Sequence, residues 1–251
     1  MEVPTLQTPT GADTSFGTTI ANLFASPSEA FVGLAGQPVK HTRWVFPLLA
    51  TIAIVIAVVY LMFSNETFRQ QMQDAQVAVM DKAVQEEKMT QEQADMAIER
   101  MEGGGSMFII FGTIFGGIFV ALYYVVGALF LWLGAKFVLK TSEPYGRHLE
   151  VYGLASWIGV FGGVITLVMM LAMNSIYATP SAALAFYDSF DPGNTTHRLL
   201  RALDLFGAWQ AVVAGFGISK VAGKDSTMGI VVAVGLWLVW VGISVALGLA
   251  R

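Results

Sequence analysis

The sequence predicts an all-α, polytopic integral membrane helix bundle with about five transmembrane helices and an extramembrane helical hairpin between the first two. Three observations predict it. The 251 residues are 55% hydrophobic and only 13% charged, outside the balance of a water-soluble domain. Five apolar stretches approach or exceed the ~20 residues that a helix needs to cross a hydrocarbon core of roughly 30 Å. Between the first two stretches lies a charged, proline-free segment with helical periodicity.

Residues 1–43 read as a cytoplasmic N-terminal segment, rich in Thr, Ser, Gly and Pro. It lacks the basic start and apolar core of a secretory signal peptide, so the first apolar run is expected to be retained as a span. Phe16, Ile20, Leu23 and Phe24 recur at helical spacing. Ser26-Pro27-Ser28-Glu29 combines an N-cap serine, a proline at the first helical position and a capping-box glutamate, predicting a second short helix that carries Ala30, Phe31 and Leu34. Both helices are expected to lie in the interface, on the membrane surface or against the bundle. Phe24, Pro27, Phe31 and Trp44 are candidate interfacial or partner-contacting residues.

Residues 44–251 form the transmembrane domain, with spans expected at about 45–63, 108–133, 152–177, 203–221 and 228–249. The acidic loop 64–106 separates the first two. Its apolar stripes are Phe68, Met72, Ala75 and Val79, then Ala94, Ala97, Ile98 and Met101. Thr90-Gln91-Glu92-Gln93 is a capping box that starts the second helix of a hairpin, and Gly103-Gly104-Gly105 ends it. Met72, Met80, Met89, Met96 and Met101 read as adaptable apolar filling, since no close Met-x-x-Met repeat suggests copper(I).

Basic residues near span ends are retained on the cytoplasmic side. Lys40, Arg43, Lys136, Lys140, Arg147, Lys220 and Lys224 would mark the inside, giving a cytoplasmic N-terminus and, with five spans, a C-terminus outside.

No ionisable residue falls near the middle of any expected span, which disfavours ion coupling. The mid-span polar residues are Thr113, Thr166, Asn174 and Gln210. Asn174, Gln210 and Thr166 are candidates for interhelical bonds or for lining a path, with the interhelical reading preferred. Asp204 reads as a cap at a helix N-terminus. His41, His148 and His197 sit in three different flanks, so no shared metal site is expected. No catalytic, nucleotide-binding or zinc motif occurs, and neither enzyme activity nor a cofactor is expected. With no cysteine there is no disulfide or thiolate chemistry, and a net charge of -4 with scattered basic residues disfavours nucleic acid.

Gly112 with Gly116, Gly159 with Gly163, Ala211 with Gly215 and Ser244 with Gly248 place small residues one turn apart, for helix packing within the chain or in a homo-oligomer. Trp44, Trp132, Tyr152, Tyr177 and Trp209 fall near span ends and suit an aromatic belt.

From Phe16 onward the chain resembles the bacterial branch of the Yip (Rab/Ypt-interacting protein) family of five-helix membrane proteins. The resemblance is carried by Phe24-Ala25-Ser26-Pro27-Ser28-Glu29-Ala30-Phe31, Trp44 with Pro47, and Met89-Thr90-Gln91-Glu92-Gln93. It continues through Tyr152-Gly153, Leu203-Asp204-Leu205-Phe206, Trp209 and Gly215-Phe216-Gly217. It implies five helices and a cytoplasmic N-terminus, in the cytoplasmic (inner) membrane. Eukaryotic members are associated with Rab GTPases and vesicle traffic, but this chain departs from their Asp-Leu-Tyr-Gly-Pro signature, with only Tyr152-Gly153, and Rab binding is not expected.

The expected function is that of a non-enzymatic scaffold or accessory subunit, with the lipid bilayer and a membrane protein or second copy as partners. The alternatives are a channel or facilitator for a small solute, and bilayer shaping by the N-terminal amphipathic segment.

Overall fold

The computed structural model describes residues 15–103 and 105–249. Five helices are long and apolar enough to cross a membrane: α2 (Thr42–Ser64), α5 (Gly105–Gly134), α6 (Tyr145–Met173), α8 (Leu205–Ala222) and α9 (Ser226–Ala246). They are preceded by the short α1 (Phe16–Ala25). The hairpin α3 (Glu66–Gln85) and α4 (Gln91–Gly103) stands between α2 and α5, and α7 (Thr195–Ala202) precedes α8. The chain is thus an all-α polytopic membrane bundle, as its hydropathy predicts.

Helix α6 is the hub, packed on α2, α5, α8 and α1, while α8 packs on α9. Small residues set these approaches. A Cβ on Gly153 of α6 would lie 2.5 Å from the Trp44 Cα, and one on Gly163 would lie 2.8 Å from Ile54, so α2 and α6 run side by side in the same direction. Gly215 of α8 meets the backbone of Ile230 in α9, and Gly116 of α5 meets Val55 of α2. The expected small-residue pairs on α5, α6 and α8 therefore serve packing within the chain; Gly248 lies beyond α9, in a left-handed turn (φ 68°). Large apolar side chains such as Phe115, Leu122 and Val239 are more than half exposed, as lipid-facing residues of a membrane bundle must be.

The N-terminal segment corrects one expectation. Helix α1 forms, N-capped by Ser15, whose Oγ accepts from the Thr18 N–H at 3.2 Å. The second helix shrinks to one 3-10 turn, Glu29–Phe31. Its capping box makes no side-chain bond, and Gly33 and Gly36, at φ 76° and 71°, turn the chain before another helical turn can form. Neither piece lies on a membrane surface apart from the bundle. Leu23, Phe31 and Leu34 are buried in the core formed by α6 and α8, and Phe16 and Phe24 stand edge-on to Trp157 and Phe161 at 5.6 and 5.3 Å.

Helix bounds also shift. α6 begins at Tyr145, seven residues before the expected start, because Pro144 opens it and its first turns carry charges that hydropathy discounts. It ends at Met173, so Asn174 is not within a span: it caps the helix in a left-handed conformation (φ 50°). Residues 175–204 form a surface layer of 3-10 turns (Ala182–Ser189) and α7. The hairpin behaves as expected: the Thr90 Oγ1 accepts from the Gln93 N–H at 3.3 Å and the Gln93 Oε1 accepts from the Thr90 N–H at 3.0 Å. Phe68 of α3 is fully buried against Met170 and Ile176.

Candidate functional site

The densest polar chemistry lies where the segment before α2 crosses the start of α6. Pro144 caps the start of α6, helical spacing places Arg147 and Glu150 on one face at i and i+3, and Glu143 lies just ahead of the cap. Glu150 and Arg147 are 0% and 1% exposed. The Arg43 guanidinium at the start of α2 donates to the Glu150 Oε1 at 2.6 Å, and that of Arg147 donates to the Glu150 Oε2. Arg147 also donates to the Gln37 carbonyl and lies 3.8 Å from the Glu143 carboxylate. Glu143 in turn accepts from the Gly36 N–H at 3.1 Å.

Two guanidinium and two carboxylate groups thus neutralise one another, and one of them grips the backbone of the N-terminal segment. An isolated buried charge would cost several kcal/mol; the reciprocal pairing offsets this. Chemically the cluster is a clamp. Neither oxygen of Glu150 is free, since each accepts from an arginine. Around it the Tyr124 hydroxyl donates to the Trp44 carbonyl at 3.1 Å, the Trp132 indole donates to the Glu143 carbonyl at 3.3 Å, and the Tyr145 hydroxyl donates to the Val125 carbonyl at 3.0 Å. Tyr152 stands edge-on to Tyr124 at 5.0 Å between α5 and α6, a place inside the bundle instead of the aromatic belt expected for it.

Hydropathy reasoning missed this cluster because it assigned Arg43 and Arg147 to solvated flanks. The usable signal was Arg147 and Glu150, three residues apart directly after a helix-starting Pro-Tyr pair, with Glu143 just ahead of it.

The residues singled out from sequence do not converge. Thr166 Oγ1 donates to the Gly162 carbonyl in its own helix at 2.9 Å. Gln210 reaches from α8 to α6, donating to the Ser156 Oγ at 3.3 Å. Asp204 caps α8, accepting from the Gly207 N–H at 2.7 Å. The Asn174 carbonyl accepts from the Gln71 amide of α3 at 3.0 Å, at the bundle's hairpin end. Phe31 sits over Gly217 and Val151 and is fully buried, whereas Pro27 and Trp44 are half-buried and Phe24 is exposed. Thr113, on α5, is half-buried.

The histidines are dispersed. The His41 Nδ1 accepts from the Trp44 indole at 3.1 Å, and the His197 Nδ1 accepts from the Asp191 N–H at 3.0 Å. Buried His148 donates from Nδ1 to the Pro144 carbonyl at 3.1 Å, leaving Nε2 without a partner among the described residues. Among those residues no group of three His, Cys, Asp or Glu side chains could hold a metal ion.

No curated protein and no solved structure matches this sequence. The signature of the Yip1 domain does match, from residue 21 to residue 248. That match reaches from within α1 past the end of α9, enclosing the ion clamp, the hairpin and all five apolar helices, and the chain belongs to the Yip1 domain family.

Proposed function

We propose that this protein is a non-enzymatic scaffold or accessory subunit that works through protein partners in a bacterial cytoplasmic membrane. One observation carries the reading: the polar residues that are candidates for lining a path are engaged within the fold. Thr166 is bonded to its own backbone, Gln210 to Ser156 and Asp204 to the α8 cap, while Asn174 lies beyond its helix. A passage needs polar groups free to exchange partners along its length. The hairpin supports the same reading, because α4 presents Glu92, Asp95 and Glu99 to solvent.

The orientation belongs to this proposal. Lys40, Lys136, Lys140, Lys220 and Lys224 flank the helix ends opposite the hairpin, which favours a cytoplasmic N-terminus and an external hairpin and C-terminus. In-cell crosslinking followed by gentle detergent extraction tests the function. A stoichiometric co-purifying membrane protein, or a homo-oligomer, is the expected result; monomer alone would sink the idea.

A second reading, bilayer shaping, is favoured by the placement of α1. Its contacts with Trp157 and Phe161 lie roughly 18–24 Å along α6 from Tyr145, at ~1.5 Å per residue, with Phe16 and Phe24 partly exposed there. An apolar wedge on one side of a bilayer favours curvature. Preference for small vesicles that survives Phe24→Asp unchanged would count against it.

A further inference from the structure

The hairpin end of the bundle holds a second feature, independent of the ion clamp and of the partner reading. Helix α3 lies over the surface layer that follows α6 and is fastened to it at two points. At one end the Gln71 amide donates to the Asn174 carbonyl at 3.0 Å, and its Oε1 accepts from the Ile176 N–H at 2.9 Å. At the other the Lys82 ammonium donates to the Gly193 carbonyl at 2.7 Å. Between these clamps, eleven residues or about 16 Å apart along the helix, the two layers do not close. They leave a groove of about 380 Å³, within the range of ligand-binding clefts.

The lining is apolar, with Met62, Met72, Val79 and Met80 on one side and Tyr177 on the other. Methionine side chains adapt to flexible apolar occupants. Among the described residues Arg201 is the one charged residue in the lining. Its guanidinium rests on the faces of Tyr177 and Phe190, at 5.5 and 5.4 Å from the ring centroids, and makes one long contact, 3.5 Å, to the Ile176 carbonyl. Among the described residues no carboxylate lies within 4.0 Å of it, although Asp74 and Asp191 act on Tyr177 from farther away. Burial pulls the Arg201 guanidinium below its ordinary value, with Tyr177 acting the other way, as expected of a cation lacking a close anion.

Met62 lies two residues before the end of the apolar α2, so the groove opens where that span leaves the bilayer. We infer that the groove holds an anionic phospholipid, its phosphate on Arg201 and an acyl chain between α3 and Tyr177. Arg is suited to phosphate, which accepts two N–H donors of the guanidinium fork, and Gln76 of α3 adds an amide to the same groove.

The test uses the full chain in lipid nanodiscs doped with phosphatidylglycerol or phosphatidylcholine carrying the same photoactivatable acyl chain, with adducts mapped by mass spectrometry. The phosphatidylglycerol probe is expected to label residues 72–80 and Tyr177 roughly tenfold more than the phosphatidylcholine probe, whose choline cation offsets the phosphate charge and is repelled by Arg201. Arg201→Gln is expected to abolish that preference and Arg201→Lys to retain most of it. Val79→Trp, which fills the groove without touching the cation, should remove labelling by both probes and serves if Arg201→Gln does not fold. Equal labelling by the two headgroups, or a preference undiminished in Arg201→Gln, overturns the inference. So does a protein adduct, in place of a lipid adduct, from a photo-crosslinking residue at position 79 in native membranes.

Discussion

Glu150 shows how a charged residue can sit inside an apolar protein: both of its oxygens are taken by arginines from different helices. Glu150→Gln removes the charge that Arg43 and Arg147 share and leaves two guanidinium groups against the single, more distant carboxylate of Glu143. It is expected to cost about 3–5 kcal/mol, read as a lowered midpoint of thermal unfolding in detergent. A loss below about 1 kcal/mol would mean that the network is not buried as described. Asp204 gives a second prediction at this scale. Burial pushes its carboxyl above the ordinary value, while the N–H groups of Gly207 and Phe206 pull it back. With the folded value raised, the protonated form is favoured in the fold, so the group's contribution is largest below its unfolded value and is lost as pH rises through the folded one. Asp204→Asn keeps an N-cap acceptor and removes the titration, so its stability relative to the parent should improve on raising the pH through that window. Asp204→Ala should lose about 0.5–2 kcal/mol below that window and less above it. The cap was legible in the sequence, from an aspartate just ahead of an apolar run. The clamp was not, because hydropathy treats Arg147 and Glu150 as flanking charge and cannot see that Arg43 arrives from another helix.

The spanning helices follow from their composition, and their close contacts follow from glycine. Gly153→Ala would drive a methyl group into the Trp44 Cα and to 2.7 Å from the Arg43 carbonyl, backbone atoms that cannot rotate away. It should cost about 1–3 kcal/mol and loosen α2 from α6. Gly235→Ala, with nothing within 4 Å of the added carbon, should be neutral to stabilising by up to about 1 kcal/mol. Equal effects of the two substitutions on unfolding in detergent would contradict the packing described. Small residues one turn apart announced close packing, but their partners depend on tertiary arrangement. The hairpin was readable because Thr90 and Gln93 form a local capping box. The second N-terminal helix was misread because Ser26-Pro27-Ser28-Glu29 carries the same local signal, but Gly33 and Gly36 follow before any helix can propagate.

At the scale of the whole molecule, the five spans separate a lysine-rich end from an acidic hairpin, the lobe proposed to bind a partner. The protein has no cysteine, so single substitutions report topology cleanly. A membrane-impermeant thiol reagent should label Glu87→Cys in intact cells and Lys224→Cys only after lysis; the reverse pattern would invert the orientation. Span number was legible at this scale, whereas the groove at Arg201 was not, because it joins α2, α3 and a surface layer far apart in sequence. The most direct test of function places a photo-crosslinking residue at Glu92 or Glu99, on the exposed face of α4, with lipid-facing Val239 as control. Irradiation of living cells should give one discrete protein adduct from the α4 positions and none of that mass from position 239. Absence of any protein adduct across the hairpin would contradict a scaffold that acts through this lobe.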